Sequence, residues 1–189
     1  MTETKMKTLK KRYRSGEKAF TRAEYDRLLS VINTTEEEVM VKLAVATGMR
    51  REDLANAKWS GISEDDMTLT FWEQKKRRFW TVPLPNDMMQ LLRKYRHSLG
   101  RNARKQETIF PLCGRSAYRR LQALCERAGI PKRPFHALRA TCIKFCQKAG
   151  WTPEQVSKLT GDTIAVIQEH YATPSSAEMQ EVAREKPII

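Results

Sequence analysis

Two short runs of β-forming residues, Met67-Thr-Leu-Thr-Phe-Trp72 and Phe79-Trp-Thr-Val82, stand alone in a chain whose other apolar residues recur at helical intervals. They flank the basic run Lys75-Lys76-Arg77-Arg78, and that arrangement predicts an antiparallel hairpin. Pro83 and Pro85 end it, because proline cannot donate to a ladder. Before the hairpin, Thr21 and Glu24 have capping-box spacing ahead of Tyr25, Leu28, Leu29 and Ile32. Thr35 and Glu38 repeat the device ahead of Val39, Leu43, Ala44 and Ala46, and Gly48 is a helix stop. A further helix over roughly 51–58 carries Leu54 and Ala57. After the hairpin, Asn86 opens an amphipathic helix through Met89, Leu92 and Tyr95, followed by a basic loop with Arg101, Arg104 and Lys105. Helices are then predicted near 115–128, 136–149, 153–160, 163–171 and 175–185. The sum is a mainly α domain with one small antiparallel β-hairpin or sheet and no internal repeat.

Charge narrows the partner. The formal net charge is +13, from 35 Lys/Arg against 22 Asp/Glu, and such a surface attracts polyanions. Nucleic acid is the leading candidate and an anionic membrane the second. Apolar residues make up 40% of the chain, enough for a core, yet no run approaches the length of a membrane span. The N-terminus is charged rather than signal-like, so an intracellular protein is expected, cytoplasmic and nucleoid-associated or in the cytoplasm of a host cell. Residues 1–18 hold seven Lys/Arg and two Glu, a net of +5, and are predicted to form a flexible basic arm. Cys113, Cys125, Cys142 and Cys146 lack paired zinc-ribbon spacing. Cys142 and Cys146 lie one helical turn apart, which suits a metal pair, but small buried residues in a reducing compartment are the expectation. Neither disulfides nor zinc is predicted.

Four local features bear on chemistry, and each alone is compatible with a plain structural role. Thr47-Gly48-Met49-Arg50, followed by Asp53-Leu54, puts an arginine at a helix-to-helix turn, where it could be any surface arginine. Lys75 lies in the hairpin, eight residues before Pro83, where a solvated basic turn is common. His136-Ala-Leu-Arg139 opens a helix on which Leu138, Cys142, Phe145 and Ala149 form one apolar stripe. Arg139 falls roughly 60° off that stripe and His136 nearly opposite it, so both are predicted to point away from the core toward a shared ligand. Tyr171 shares a helical face with Ile164 and Ile167, as a core tyrosine would.

Together the residues resemble the tyrosine recombinases, the phage integrase family. Arg50, Lys75, His136, Arg139 and Tyr171 occur in that family's order and at about its separations. Thr-Gly-Met-Arg resembles its first arginine box, the path from Lys75 to Val82-Pro83-Leu84 its lysine element, and His-Ala-Leu-Arg its His-x-x-Arg box. Leu159-Thr-Gly161 precedes the tyrosine by the usual ten residues from that glycine. The resemblance covers roughly residues 20–175 and implies a catalytic domain over 19–174, with 175–189 as a C-terminal helix or tail, exchanged between protomers or folded back on its own core. It implies DNA strand cleavage and rejoining through a 3′-phosphotyrosyl intermediate at Tyr171, for integration, excision or inversion. The implied partner is double-stranded DNA, with a dimer on each site and a tetramer in the synapse, and no membrane.

Phosphodiester chemistry asks for the same set. Two guanidiniums, here Arg50 and Arg139, can clamp the non-bridging oxygens through planar charge-assisted hydrogen bonds that lysine cannot copy. Each preorganised donor is worth on the order of 3 kcal/mol in the transition state. A phenol with a solution pKa near ~10 needs neighbouring cations and a base, here His136, to lose its proton. Lys75 suits the general acid for the departing 5′-oxygen, a role the resemblance also gives it; Lys76 would take it if the turn is one residue different. Arginines that neutralise charge remove the need for a metal, and a covalent bond that stores the phosphodiester energy removes the need for ATP. No cofactor is expected.

One position departs from the family. His or Trp usually follows the glycine matched by Gly161, and here Asp162 stands there as a possible sixth site position. A carboxylate beside a phosphate is unfavourable unless it pairs with an arginine or caps the next helix, and capping of the 163–171 helix is the expectation. His170 points away by roughly 100° from Tyr171 on a helix and compensates poorly. Further DNA contacts are expected from Lys76, Arg77 and Arg78 and from Arg115, Arg119, Arg120, Arg127, Lys132 and Arg133 along a helix and loop. Only 49 residues precede Arg50, too few for the separate clamping domain of many relatives. A naturally short recombinase, like the fimbrial-switch invertases, and a piece of a longer one both fit. Asp162 motivates the rival reading, a DNA-binding accessory protein without turnover. An RNA-binding reading is disfavoured, since exposed aromatic strand motifs are not evident.

Overall fold

The computed structural model describes residues 15–171 and 176–186. Its elements in chain order are α1 (Arg22–Ser30), α2 (Thr35–Thr47), α3 (Arg51–Ala55), β1 (Ile62–Ser63), β2 (Thr68–Glu73), β3 (Arg78–Pro83), α4 (Asn86–Ser98), α5 (Gly114–Arg127), α6 (His136–Lys148), α7 (Pro153–Thr160), α8 (Ile164–His170) and α9 (Ser176–Glu185). Local chemistry explains most boundaries. Thr21 Oγ1 accepts from Glu24 N at 3.2 Å while Thr21 N donates to the Glu24 carboxylate at 2.8 Å, a complete capping box for α1. Thr152 and Gln155 build another for α7. Helix α2 stops at Gly48, whose φ of 64° is left-handed backbone that a residue with a Cβ adopts only under strain.

Helix α2 is the centre of the core. Val39, Met40, Val41, Leu43 and Ala44 are fully buried, and α4 and α6 pack against it. Nearly the whole first half of α6 is buried as well, Ala137 through Lys144. A second, smaller apolar cluster joins Ala140, Ile143, Val156, Ile167 and Tyr171, which fixes α8 to α6 and α7. The three-stranded antiparallel sheet has the order β1-β2-β3 and sets Phe71 opposite Trp80, Trp72 opposite Phe79 and Glu73 opposite Arg78. Strand parity sends Leu69, Phe71 and Glu73 inward and Trp72 outward.

Several expectations need correction. The α2 cap is one residue earlier: Thr34 accepts from Glu37 N at 3.1 Å. Helix α3 ends at Ala55, short of 58, and β1 was not foreseen because two residues carry no periodicity. The basic arm ends sooner than residue 18, since Ser15–Lys18 form a 3-10 turn packed against α6; residues 1–14 lie outside the described residues. Trp72 and Phe79 form an exposed cross-strand pair with ring centroids 5.1 Å apart and Phe79 73% exposed. The sheet therefore does present aromatic rings to solvent, against the sequence reading.

A Cβ on Gly48 would sit 3.1 Å from Thr160 Cγ2 and 3.2 Å from Cys142 Sγ, so the end of α2 presses on both α6 and α7. Gly48→Ala combines that crowding with a left-handed φ. It should lower unfolding free energy by about 1–2 kcal/mol, read as a lower urea midpoint at unchanged slope. An unchanged midpoint would refute this account of the junction.

Candidate active site

Arg139 is the buried charge around which the site is arranged. It projects from the first turn of α6 and is 2% exposed. Its Nη1 donates to Gly48 O at 2.5 Å and its Nη2 to Thr160 O at 2.9 Å, the carbonyls at the ends of α2 and α7. The remaining edge faces Asp162: Nη2 lies 2.7 Å and Nε 3.2 Å from Oδ2. Arg50 follows Gly48 by two residues in extended backbone, ahead of α3. Its Nη2 donates to the other Asp162 oxygen at 3.0 Å and its Nη1 to Glu73 Oε1 at 2.5 Å. Glu73, 2% exposed at the end of β2, also accepts from Arg78 Nε at 2.9 Å, and the Arg78 guanidinium lies 3.9 Å from the Trp80 ring centroid. Three guanidiniums and two carboxylates thus form one continuous ion network.

This arrangement corrects the expectation for Asp162. It does not cap α8; Thr163 does, accepting from Val166 N at 3.3 Å. It takes the other course open to a carboxylate here and bridges the two arginines. Arg139 also differs from its expected position: it points inward, because α6 is buried on most of its circumference and the apolar stripe is no guide to what faces solvent.

Beside the network is a cleft of about 600 Å³ lined by Arg50, Asp53, Gln74, Lys75, Tyr118 and His136 among others. Three of the five residues singled out from sequence meet there. Lys75 is exposed in the hairpin turn, whereas the Lys76 ammonium turns back and donates to Gly161 O. The lysine facing the cleft is therefore Lys75. Tyr171 does not line the cleft; it is 2% exposed at the end of α8, with its hydroxyl 3.0 Å from His136 Nε2. Burial lowers the His136 imidazole below its ordinary pKa, Arg139 adds to the shift, and Asp162 opposes it. A neutral ring can accept the phenolic proton. Asp53 is buried and accepts from Gln74 N at 2.9 Å, tying the start of the turn to α3; burial raises its carboxyl pKa.

The family profile described as "Phage integrase family" matches residues 18–177. The chain belongs to the phage integrase family. Among curated proteins it is similar to a protein named tyrosine recombinase XerA from Saccharolobus solfataricus, 26% identical over 144 residues, which are 76% of this chain and 48% of the relative. The chain thus spans about half the length of that relative. Among solved structures, XerA recombinase superposes with a TM-score of 0.72 at 19% identity, over 90% of this chain and 66% of that one. A lambda integrase dimer bound to a COC′ core site superposes at 0.69 with 22% identity, over 85% and 60%. The lambda integrase catalytic core gives 0.63 with 23% identity, over 76% and 90%. These likenesses establish an integrase-type catalytic-domain fold.

Within this phage integrase fold, the cations expected on DNA divide into two groups. Arg115 and Arg119 are exposed one helical turn apart on α5, and Arg77 is exposed in the hairpin turn. Other members of the set are held by the chain's own carboxylates. Arg120 pairs with Glu36 at 2.5 Å and Arg127 with Glu37 at 2.9 Å, joining α5 to the start of α2, and Lys132 pairs with Glu126 at 2.9 Å. Arg133, expected among the DNA contacts, bonds Glu24 at 2.6 Å and Ala19 O at 2.7 Å and ties the loop before α6 to the segment ahead of α1. Glu73 escaped the sequence reading, although strand parity with Leu69 and Phe71 signalled a carboxylate on a buried face. Because Glu73 alone joins Arg50 to Arg78, Glu73→Ala should cost about 2 kcal/mol of stability. Denaturant unfolding would read the loss, and full stability in the variant would mean that solvent replaces the pair without cost.

Proposed function

We propose that this domain cleaves and rejoins duplex DNA through a 3′-phosphotyrosyl intermediate on Tyr171, as the chemical step of site-specific recombination. The observation that supports this most is the His136–Tyr171 contact at 3.0 Å, beside a cleft that also brings Arg50 and Lys75 together. The scissile phosphate enters between the guanidiniums of Arg50 and Arg139, which stabilise the charge that builds on its non-bridging oxygens. The Tyr171 oxygen attacks phosphorus while its proton passes to neutral His136. The P–O bond to the 5′-oxygen breaks, and Lys75 delivers a proton to that oxygen. Attack by a 5′-hydroxyl reverses the sequence, with His136 returning the proton to the phenol. In the DNA-free protein Tyr171 is buried behind His136, so the phenol must advance into the cleft when DNA arrives.

Duplex DNA as partner and assembly on it, a dimer per site and a tetramer in the synapse, follow by analogy with neighbours solved as a dimer on a core site and a tetramer on a Holliday junction. The exposed Arg77, Arg115 and Arg119 supply backbone contacts, and α9, with Met179 and Val182 exposed, is the segment offered to a neighbouring protomer. The last residues of the expected tail, 187–189, lie outside the described residues. A second reading, a DNA-binding protein of the same fold without turnover, is favoured by one observation: Asp162 occupies both arginines.

Covalent trapping separates the two. With nicked suicide duplexes taken from DNA flanking its own gene, and EDTA present, the protein should give a denaturation-resistant protein–DNA band. Tyr171→Phe should lose that band while binding the duplex with nearly unchanged affinity. Binding without any band would favour the accessory reading. Lys75→Ala should slow adduct formation by about 10²–10⁴-fold. A 5′-bridging sulfur, which departs without a proton, should restore most of that rate. If Lys76→Ala shows the sulfur rescue instead, the acid is assigned to the wrong lysine.

A further inference from the structure

We propose that Asp162 is a displaceable stand-in for the scissile phosphate: it holds the phosphate's place between Arg50 and Arg139 and must rotate away before DNA is cleaved. The inference rests on the function proposed above. Its first support is geometric. One Asp162 oxygen takes Arg50 Nη2 at 3.0 Å and the other takes Arg139 Nη2 at 2.7 Å, so two anionic oxygens span two guanidiniums as the non-bridging oxygens of a phosphodiester would.

The second support is what remains when Asp162 leaves. Arg139 keeps Gly48 O and Thr160 O, and Arg50 keeps Glu73, so neither guanidinium depends on Asp162 for its position. The two carboxylates of the network therefore differ in kind. Glu73 is 2% exposed on the inward face of β2 and holds Arg78 as well as Arg50. Asp162 is less deeply buried, 13% exposed at its side chain. Its backbone is pinned, with Ser157 Oγ donating to Asp162 O at 2.7 Å and Asp162 N donating to Thr160 Oγ1 at 3.3 Å. A rotation about its own side-chain torsions is enough to clear the site, and no helix need move.

The consequence is a split between binding and reaction. Peripheral cations draw DNA in regardless of Asp162, but seating of the scissile phosphate is opposed by a carboxylate already in place. Asp162 is thus a positioning residue whose removal should change productive seating more than total DNA affinity.

Two measurements on Asp162→Asn and Asp162→Ala test this, with folding checked by circular dichroism. In thermal unfolding with inorganic phosphate, balanced by chloride to constant ionic strength, the wild-type chain should respond weakly. Both variants should start at a lower Tm and regain it as phosphate rises, since the anion replaces the missing carboxylate. In single-turnover cleavage of nicked duplexes, the DNA concentration for half-maximal rate should fall about tenfold in Asp162→Asn, with the saturated rate kept or raised. Total duplex affinity, measured in the Tyr171→Phe background, should change by less than about threefold. A phosphate response equal to wild type in both variants overturns the proposal, and so does an unchanged or raised half-saturation. If no form of the protein makes an adduct, the phosphate titration still decides. A variant-specific response would then keep the stand-in role while the recombinase reading fails.

Discussion

A guanidinium removed from water is costly unless nearly every N–H finds an acceptor, and the site follows from how this fold satisfies Arg139. Two of its acceptors are main-chain carbonyls freed by helix termination, Gly48 O at the end of α2 and Thr160 O at the end of α7. Helix ends leave carbonyls without intrahelical partners, so one buried charge and two terminated helices solve each other's problem. Both helices stop on glycines in left-handed backbone, Gly48 at φ 64° and Gly161 at φ 75°. The residues just beyond are carried along. Arg50 is placed because Gly48 is held, and Asp162 is placed because Thr160 is held. The catalytic-domain core and the candidate site are therefore one packing arrangement rather than a scaffold with side chains attached to it.

The hairpin divides its work by strand parity. Inward positions carry Phe71, Trp80 and Val82 to the core and end on Glu73, which reaches the arginine network. The turn that follows is anchored twice, by Asp53 receiving Gln74 N and by Lys76 on Gly161 O. Lys75, between those anchors, is left to face the cleft. A lysine on a tip fixed at both sides can be aimed into the cleft without being buried, which suits the general-acid role proposed for it.

Features set by neighbouring residues were readable from the sequence. The capping box at Thr21, the stop at Gly48, the bounds of α7 and the hairpin all follow from interactions a few residues apart. Family order brought Arg50, Lys75 and His136 to one cleft and Tyr171 to His136. Misreadings occurred where a side chain's fate is decided by distant parts of the chain. Asp162 lies immediately before a helix, and its local prospects favoured capping; the guanidiniums that capture it arrive from positions 112 and 23 residues away. Arg133 looked like a surface cation because Glu24 and Ala19, which bind it, are more than a hundred residues distant. The helical-wheel argument for α6 failed for a related reason, since a helix packed on several sides has no single inward stripe to read.

Positive charge is concentrated at the rim of the site rather than at its centre. The chain carries a net +13, yet at the centre of the site Arg50, Arg78 and Arg139 meet Glu73 and Asp162, and the core of the network is only slightly positive. The uncompensated positive charge therefore lies at the rim, on exposed residues such as Arg77, Arg115 and Arg119, and under the proposed function it is these that would draw DNA in, with the salt dependence of backbone binding. The centre contributes differently. While Asp162 is in place the two arginines offer a phosphate little net attraction; once it turns away they act at full strength on whatever lies between them. A pentacoordinate phosphorus with charge drawn onto its non-bridging oxygens gains more from that than the ground-state diester does. The cost of displacing Asp162 falls on seating, before ground state and transition state part, so it opposes productive binding and leaves the rate of the seated complex to the two arginines.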